Sequence, residues 1–490
     1  MSATQRKHCR ATPSTDIYEL EEVASPDVPE KYRGTDADNL HMKVLGRVQE
    51  TRRNFTFFTI LGFGSTLICT WEVILVAGVL PALTNGGTAG FFWGWLLVVT
   101  GFMLVYSSIS ELASMAPTSA AAIIQGLIVL NNPEYVGQPW QGTLLTIGVC
   151  AFAIIFNTVL ASKLPLVEGT LVFLHIAGLF VILIVLWTLA PRYTARDAFL
   201  HLTSNGGWST DGVSFLVGLY PLVVALMGFD SAVHMSEEIK DAASTLPRSI
   251  MWSMALNAFL GLLMVITLIF TWGNLSEVAD TATGLPFLQI LYDVTKSLVA
   301  VDVLAAVVII TLTASVIAVV ATASRQIWAF ARDNGVPFSR AIAYIHASWN
   351  IPVNAVLVSL LATSLLSLIN IGSAVALNAI LSLNCASLLG SYMLSIGCLV
   401  ARRLTGAELP PRPWSLGKMG LWVNIAALCW LVPIFIFTLF PGVPNPTAAE
   451  MNWGVLLFGV MFMFASIYYL AVGRHVYISP KERLRRDLQM

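Results

Sequence analysis

Long apolar stretches constrain this chain more than any other feature of its sequence. Eleven of them have the roughly 20 residues that an α-helix needs to cross a bilayer. They lie at 56–80, 91–115, 142–162, 166–190, 213–235, 249–272, 298–323, 352–371, 374–401, 419–440 and 453–472. A twelfth stretch, at about 117–130, is short: it would rise roughly 21 Å as a helix, against an apolar core of about 30 Å. We number these segments 1 to 12 in chain order, so the short one is segment 3.

The composition is typical of a membrane protein. Only 11% of the 490 residues are charged, whereas soluble globular proteins have about 25%. So few charges do not cover a water-facing surface, but a lipid-facing surface does not need them. The net charge of −1 also provides no basic face for nucleic acid. The sequence therefore predicts an all-α, polytopic membrane protein.

The distribution of Lys and Arg fixes the number of crossings. With twelve crossings, every Lys and Arg except Arg192, Arg196 and Lys296 falls on the side of the N-terminus. With eleven crossings, the loops after residue 131 invert and this bias disappears. Because Lys and Arg concentrate in cytoplasmic loops, we expect segment 3 to cross and both termini to be cytosolic. The side of the N-terminus is called the inner side below.

Polar residues flank the apolar part of the chain. Residues 1–53 carry many charges and three prolines and are predicted to be a disordered cytosolic tail. We expect a transmembrane domain at 54–472 and a cytosolic C-terminal tail at 473–490. The six cysteines form no CxxC pair and do not alternate with His at metal-ligand spacing. They are interpreted as small packing residues, and no metal or cofactor is predicted.

Glycine-containing clusters interrupt segments 1 and 6, each of which begins a group of five segments. The predicted substrate-binding residues are Gly62, Phe63, Gly64, Ser65 and Thr66 in segment 1, and Met227, Gly228, Phe229, Asp230 and Ser231 in segment 6. Matched helix breaks in two halves indicate a transporter site, because freed backbone groups at mid-membrane must face protein or a water-filled cavity. Free N–H groups after the first break suit a carboxylate, and carbonyl groups before the second suit an ammonium.

An alternative interpretation of these clusters stays open. Glycines in membrane helices often serve only close packing, and Asp230 could be an acid at a helix end. Against this, an ionisable residue beside a glycine-rich break within the membrane is a functional candidate. In segment 5, Glu168 and His175 are seven residues apart and share a helix face. They either relay protons or are satisfied polar residues between helices.

Charged residues also gather at the inner ends of segments 2, 6 and 8. They are Glu111, Glu237, Glu238, Arg325, Arg332 and Asp333. Opposite charges on one rim can form a gate that opens and closes during transport, although ordinary anchoring at the membrane interface explains them equally well. Enzyme signatures such as HExxH, GxSxG and GxxxxGK[ST] are missing from the sequence, so no catalytic residue is predicted.

Four motifs resemble a known family. They are GFGSTLICTWE (62–72), SELASMAPTSA (110–120), GFDSAVHMSEEIKDAASTLPRSI (228–250) and ASRQIWAFARDNGVPFS (323–339). Over about residues 50–475 the chain resembles fungal permeases of the GABA and choline branch of the amino acid–polyamine–organocation superfamily. The resemblance implies a five-plus-five inverted repeat, with segments 1 and 6 broken around a central site and segments 11 and 12 outside the repeat. It also implies uptake of small amino acids or amines, often with a proton.

The sequence departs from this family at segment 3. After Pro117-Thr118-Ser119 the family usually continues with Gly-Gly-x-Tyr-x-Trp and a full third helix. Here three alanines run directly into IIQGLIVLNNPEY, which looks like the far end of that helix. Roughly 40 residues, a loop plus most of a span, are therefore missing. We hypothesise that the chain is a splice form, an imperfect gene model or a decayed copy with impaired transport.

Several functions remain open on the sequence alone. The leading one is a secondary transporter; a non-transporting nutrient sensor and a membrane-embedded enzyme are the rivals. An amino acid or GABA requires donors for its carboxylate, which Gly64 to Thr66 would supply. Choline requires an aromatic cage, which Phe63, Trp71, Tyr220 and Phe229 would partly supply. The amino acid class is favoured, with the plasma membrane as the expected location and the vacuolar membrane as the alternative.

Overall fold

The computed structural model of the protein describes residues 49–110, 119–131, 138–273, 281–346, 351–406 and 414–477, except 282 and 373. A few positions between 32 and 42, and residue 409, are described as well. Regular structure in these residues is helical, and extended chain forms only isolated bridges, Phe55 with Ile239 and Asn85 with Ser204. The prediction of an all-α protein is confirmed.

Ten of the twelve segments are each one continuous α-helix. From segment 2 onwards, omitting segment 6, they are Gly87–Ile109, Ser119–Asn131, Pro139–Thr158, Leu164–Leu189, Ala242–Thr271, Leu298–Arg332, Val353–Gly372, Ala374–Leu404, Gly420–Thr438 and Gly454–Tyr468. A π-helical stretch, Tyr469–Gly473, and the turn Arg474–Val476 extend segment 12. The loops contain Ala195–Leu200, Pro286–Thr295, Ser339–Ile342 and the 3₁₀ turns Ala161–Lys163, Ser236–Glu238 and Gly417–Met419.

Segments 1 and 6 are the interrupted ones. Segment 1 consists of Phe57–Ile68, Thr70–Val73, a π-helical stretch Ile74–Gly78 and Val79–Thr84. Segment 6 consists of Asp211–Gly218, Tyr220–Val224 and, after a gap, Ser231–His234.

The apolar helices are numerous enough for a multi-pass membrane protein. Within the described residues, nine helices have the length and hydropathy to cross a membrane. Two shorter apolar helices, Asp211–Val224 and Val353–Ile369, belong to segments 6 and 9. The polytopic membrane architecture is therefore confirmed, whereas the inverted repeat of segments 1–5 and 6–10 stays a prediction.

Burial places segment 1 at the centre and segment 12 at the periphery. In its most apolar window, 72% of the residues of segment 1 are buried by the rest of the protein, against none in segment 12. Both segments are apolar all round, which is typical of helices that face either protein or lipid on every side. The interrupted helix is thus enclosed by its neighbours, where freed backbone groups can find partners.

Segment 3 is a helix of 13 residues, Ser119–Asn131. At 1.5 Å per residue it rises only about 20 Å, less than an apolar bilayer core of about 30 Å. It packs against segments 4 and 8, and the Asn131 amide donates to Asp302 Oδ1 at 2.7 Å near the outer end of segment 8. The residues that precede this helix, 111–118, lie outside the described part of the chain.

Residues just before segment 1 pack across the inner ends of segments 6 and 7. The Phe55 N–H donates to the Glu238 carbonyl at 2.9 Å, and the Lys240 N–H donates to the Phe55 carbonyl at 3.0 Å. The Gln49 amide donates to the Glu237 carbonyl at 2.8 Å, and Arg53 donates to the carbonyls of Ser236 and Ile239. The prediction of a disordered tail is therefore wrong for residues 49–53, because carbonyl groups at the end of segment 6 bind their side chains.

Asp38 anchors residues 49–55, which we call the strap, to the start of segment 7. Its carboxylate lies 3.2 Å from Arg53 Nη1 and accepts from the N–H groups of Asp241 and Ala242 at 3.0 and 3.2 Å. Burial acts to raise the pKa of Asp38, but these hydrogen bonds and the Arg53 charge outweigh burial and hold the pKa below its ordinary value. A charged Asp38 thus stabilises the strap.

Candidate functional site

Segment 6 leaves helical geometry between Val224 and Ser231. Gly228 has φ +102°, a backbone conformation that residues with a Cβ rarely adopt, so glycine is required at the turn. The helix resumes at Ser231, whose N–H donates to the Gly228 carbonyl at 3.0 Å. The glycine cluster predicted to interrupt this segment thus lies at an actual interruption, and Phe229 and Asp230 within it are fully buried.

A tyrosine from segment 2 holds this break together. The Gly228 N–H donates to the hydroxyl oxygen of Tyr106 at 2.9 Å, and the same hydroxyl donates to the Leu226 carbonyl at 2.9 Å. The Tyr106 ring meets Phe229 edge to face, with the centroids 5.4 Å apart. One phenol therefore satisfies two backbone groups that no helix serves.

The acid of segment 6 is bound by a second tyrosine. Tyr392, in segment 10, donates its hydroxyl hydrogen to Asp230 Oδ1 at 2.7 Å. The other carboxyl oxygen, Oδ2, is buried and has no hydrogen-bond partner in the protein. Asp230 precedes the short helix Ser231–His234, and this position leaves an acceptor oxygen aimed into the protein interior at the break.

Segment 1 breaks at a different place from the one predicted. Gly62 to Thr66 lie inside the continuous helix Phe57–Ile68, so the prediction that this cluster forms the break is wrong. The chain departs from the helix at Cys69, which has φ +47°. Segment 8 supports the departure: Ser315 Oγ donates to the Leu67 carbonyl, and the Thr311 carbonyl oxygen lies 3.3 Å from Cys69 Sγ.

The two glycines of segment 1 serve close helix packing instead. A Cβ added at Gly62 would lie 2.8 Å from the Glu168 carbonyl oxygen in segment 5. At Gly64 it would lie 3.0 Å from Ser253 Oγ in segment 7. These approaches are too short for a larger residue without movement, so the glycines let segment 1 contact both neighbours directly.

Buried polar atoms without a protein partner flank both breaks. In segment 1 they are Ser65 Oγ, Thr70 Oγ1 and Glu72 Oε2, and in segment 6 they are Asp230 Oδ2, Ser231 Oγ and His234 Nε2. Buried polar groups are nearly always hydrogen-bonded, because an unsatisfied one costs about 1–3 kcal/mol. The helix Ser231–His234 contacts Phe57–Ile68, which brings the two regions together. Both breaks thus leave buried polar groups that have no hydrogen-bond partner in the protein.

Two ion pairs close the inner side beneath the breaks. Arg325 Nε donates to Glu238 Oε1 at 2.8 Å, and Arg332 forms a bidentate pair with Glu237. Both arginines belong to segment 8 and both acids to the end of segment 6, so the pairs join these segments. Asp333 is buried at the end of the same helix. Of the predicted charge cluster, Glu111 lies outside the described residues.

The outer side carries a cavity of about 520 Å³. Its walls come from the outer ends of segments 1, 6 and 10 and from the connection between segments 11 and 12. Asn85, Tyr220 and Ser382 contribute polar groups to the lining. The volume falls within the range of about 300–1,000 Å³ that is usual for small-molecule sites. The cavity thus lies on the outer side and the two ion pairs on the inner side, and the residues of the breaks between them are buried.

Glu168 and His175 of segment 5 both face segment 1, where each is hydrogen-bonded to a different residue. Glu168 Oε2 lies 2.6 Å from Thr66 Oγ1, and His175 Nδ1 lies 2.8 Å from Glu72 Oε1. Cys69 joins Glu72 and His175 in the one group of described residues spaced for a metal ion. Since His175 and Glu72 bond each other and Cys69 Sγ donates to the Thr66 carbonyl at 2.8 Å, we assign no metal there.

Sequence reasoning missed both tyrosines of the site. Tyr106 and Tyr392 lie in apolar helices, where a phenol does not stand out as a glycine or an acid does. The signal that could have found them is the break itself, because freed N–H and carbonyl groups in a membrane require side-chain partners from neighbouring segments.

The sequence is similar to those of known permeases and transporters. A family model described as amino acid permease matches residues 112–465. The chain is similar to an amino-acid permease of Schizosaccharomyces pombe, with 28% identity over 89% of this chain and 87% of the relative. It is also similar to the choline transporter of Saccharomyces cerevisiae, with 25% identity over 88% of this chain and 83% of that protein. Amino-acid permease 2 of Neurospora crassa is 22% identical over 93% and 91% of the two chains.

Proposed function

Because the chain belongs to the amino acid permease family, we propose that it is a secondary active transporter that carries a small amino acid across a membrane by alternating access. Its similarity to permeases and to a transporter also points to transport rather than to an enzyme activity. The plasma membrane is the proposed location, with both termini in the cytosol.

The observation that carries this proposal comes from four of the six buried, unpartnered polar atoms beside the two breaks, one carboxyl oxygen and three hydroxyl oxygens. Asp230 Oδ2 is an acceptor and suits an ammonium that carries N–H groups. The hydroxyls of Ser65, Thr70 and Ser231 each have a hydrogen to donate and suit a carboxylate. A molecule with both an ammonium and a carboxylate group, such as GABA or another small amino acid, would satisfy these four atoms.

Choline matches this set less well than an amino acid does. Its quaternary ammonium has no hydrogen to donate to Asp230, and its recognition relies on aromatic faces. The rings considered for such a cage are engaged in packing: Phe63 meets Phe55, and Phe229 meets Tyr106, in both cases edge to face. Tyr220 lines the outer cavity instead. These contacts favour the amino acid class.

The proposed cycle uses segments 1 and 6 as the moving parts. In the outward-facing form a substrate enters through the outer cavity and reaches the breaks. Rupture of the Arg325–Glu238 and Arg332–Glu237 pairs would then open the inner side, with the breaks acting as hinges. We further propose that a proton moves with the substrate, since several buried acids line the interior.

A radiolabelled uptake panel tests the proposal. The 490-residue chain would be expressed in a yeast host that lacks its own permeases, and uptake of GABA, choline, ethanolamine and common amino acids would be measured. We expect saturable uptake of at least one amino acid, and a higher KM for it in Asp230→Asn, whose carboxamide is a weaker acceptor for an ammonium. Surface expression comparable to that of wild type is the control, and the absence of uptake across the panel would contradict the proposal.

The short segment 3 favours a second candidate, a chain with impaired transport or a non-transporting sensor. The helix has only 13 residues. The alignment with the S. pombe relative is 487 positions long but covers only 89% of this chain, so at some aligned positions the relative has residues that this chain lacks. The discriminating comparison is uptake by this form and by one in which a full third helix is restored. Normal uptake by the 490-residue form would exclude the impaired form.

A further inference from the structure

The contact between segments 1 and 5 contains a carboxyl group that the substrate site does not use. Glu168 is fully buried, its Oε2 lies 2.6 Å from Thr66 Oγ1, and its Oε1 has no hydrogen-bond partner in the protein. The helices touch at this level, since Gly62 sits against the Glu168 backbone. The Glu168 carboxyl is therefore buried beside Thr66, which lies three residues before the break at Cys69.

Counting hydrogens shows which form of Glu168 fits this geometry. Thr66 Oγ1 has a single hydrogen, yet it lies 2.9 Å from the Gly62 carbonyl oxygen as well as 2.6 Å from Glu168 Oε2. A carbonyl oxygen only accepts, and an ionised carboxylate also only accepts. If each contact is a separate two-centre hydrogen bond, the carboxyl must supply the second hydrogen. The observed arrangement therefore suits a protonated Glu168.

The groups around Glu168 offer no positive charge to an ionised carboxylate. The other titratable residues of segments 1 and 5 are Cys69, Glu72 and His175, and the last two are hydrogen-bonded to each other. Segment 7 contributes the neutral residues Ser253 and Asn257 to the same interior. Within the described residues no Lys or Arg pairs with Glu168. An unpaired buried charge is very unfavourable, so ionisation requires water to enter between the helices.

We propose that Glu168 binds the proton that is coupled to substrate movement. This inference rests on the proposed function and identifies the residue that links transport to pH. With the proton bound, the neutral carboxyl allows segments 1 and 5 to pack closely in the outward-facing form. When segment 1 tilts away and water reaches the contact, Glu168 releases its proton to that water, and the carboxylate stays hydrated until it is protonated again.

The test uses purified full-length protein in liposomes, with radiolabelled GABA or the panel amino acid that wild type transports. Glu168→Gln is a permanently neutral substitute whose amide can still donate to Thr66. We expect it to retain exchange of external for internal substrate, to lose accumulation driven by an imposed pH gradient, and to have a flat pH profile. Asp302→Asn is the control, an acid near the outer end of segment 8 that accepts from Asn131 away from this contact, and it should keep gradient-driven accumulation.

The outcomes separate this inference from the proposed function. Wild-type protein that exchanges no substrate contradicts the proposed function before any variant is made. Glu168→Gln that accumulates substrate with the wild-type pH profile overturns the inference. If this variant has lost exchange as well, the pH dependence of substrate binding is measured by tryptophan fluorescence. A pH dependence like that of wild type overturns the inference, and a lost pH dependence supports it.

Discussion

Removing one hydroxyl group should disable the break in segment 6. Tyr106→Phe keeps the ring and its contact with Phe229 but deletes the oxygen that accepts from the Gly228 N–H and donates to the Leu226 carbonyl. Both backbone groups then remain unsatisfied in the protein interior. We expect lower substrate affinity, because the break no longer holds one arrangement, and lower stability of the folded protein.

The size of the effect follows from the number of groups left without a partner. Side-chain hydrogen bonds between membrane helices average only about 0.6 kcal/mol, since other partners are usually at hand. A backbone group in a buried turn has none, and each unsatisfied group costs about 1–3 kcal/mol. Two groups together give about 2–6 kcal/mol, which corresponds to a roughly 30- to 20,000-fold loss in an equilibrium constant.

Binding of the radiolabelled substrate to purified Tyr106→Phe, together with thermal unfolding in detergent, measures this loss. Tyr193→Phe is the matched control, because its hydroxyl donates to the Gly273 carbonyl on an exposed loop, where water replaces it. That control should change affinity and Tm little. If Tyr106→Phe binds substrate and unfolds like wild type, the hydroxyl does not support the break and the reasoning is wrong.

Three further changes probe other contacts. Gly62→Ala should lower Tm and uptake because its Cβ would lie 2.8 Å from a carbonyl oxygen, whereas Gly148→Ala, with open space around it, should change neither. Arg325→Gln should reduce uptake by weakening inner closure, because removing one partner of a mostly buried ion pair costs about 3–5 kcal/mol. The swapped variant Arg325→Glu with Glu238→Arg should recover part of the uptake, and unaltered uptake in the single variant would argue against a gate. The depressed pKa of Asp38 means that its stabilising effect is complete above its unfolded pKa and is lost as pH falls through the folded one. The Tm difference between wild type and Asp38→Asn should therefore be constant near neutral pH and vanish in strong acid; a constant difference throughout would refute the assignment.

Sequence patterns predicted the architecture well because hydrophobic length and charge bias are strong signals in membranes. Gly228 also marked its break correctly, since a φ of +102° demands glycine. The segment 1 break could not be placed in the same way. There the glycines at 62 and 64 allow close contact with segments 5 and 7, and the break falls at Cys69.

Contacts between segments distant in the chain determine the features of the site that the sequence did not reveal. The departure at Cys69 is held by Ser315 and Thr311 from segment 8, almost 250 residues away in the chain. The pairing of Glu168 with Thr66 likewise depends on how segments 1 and 5 meet. Helical periodicity placed Glu168 and His175 on one face but carried no information about which helix that face would contact.

The central claim is that a small amino acid binds between the break at Cys69 in segment 1 and the break around Gly228 in segment 6. A cryo-electron microscopy map of the protein in lipid nanodiscs, recorded with and without the saturating substrate found by uptake, tests it most directly. We expect ligand density next to Asp230 Oδ2 and the hydroxyls of Ser65 and Ser231. Ligand density confined to the outer cavity, with the space between the two breaks unchanged by substrate, would contradict the account.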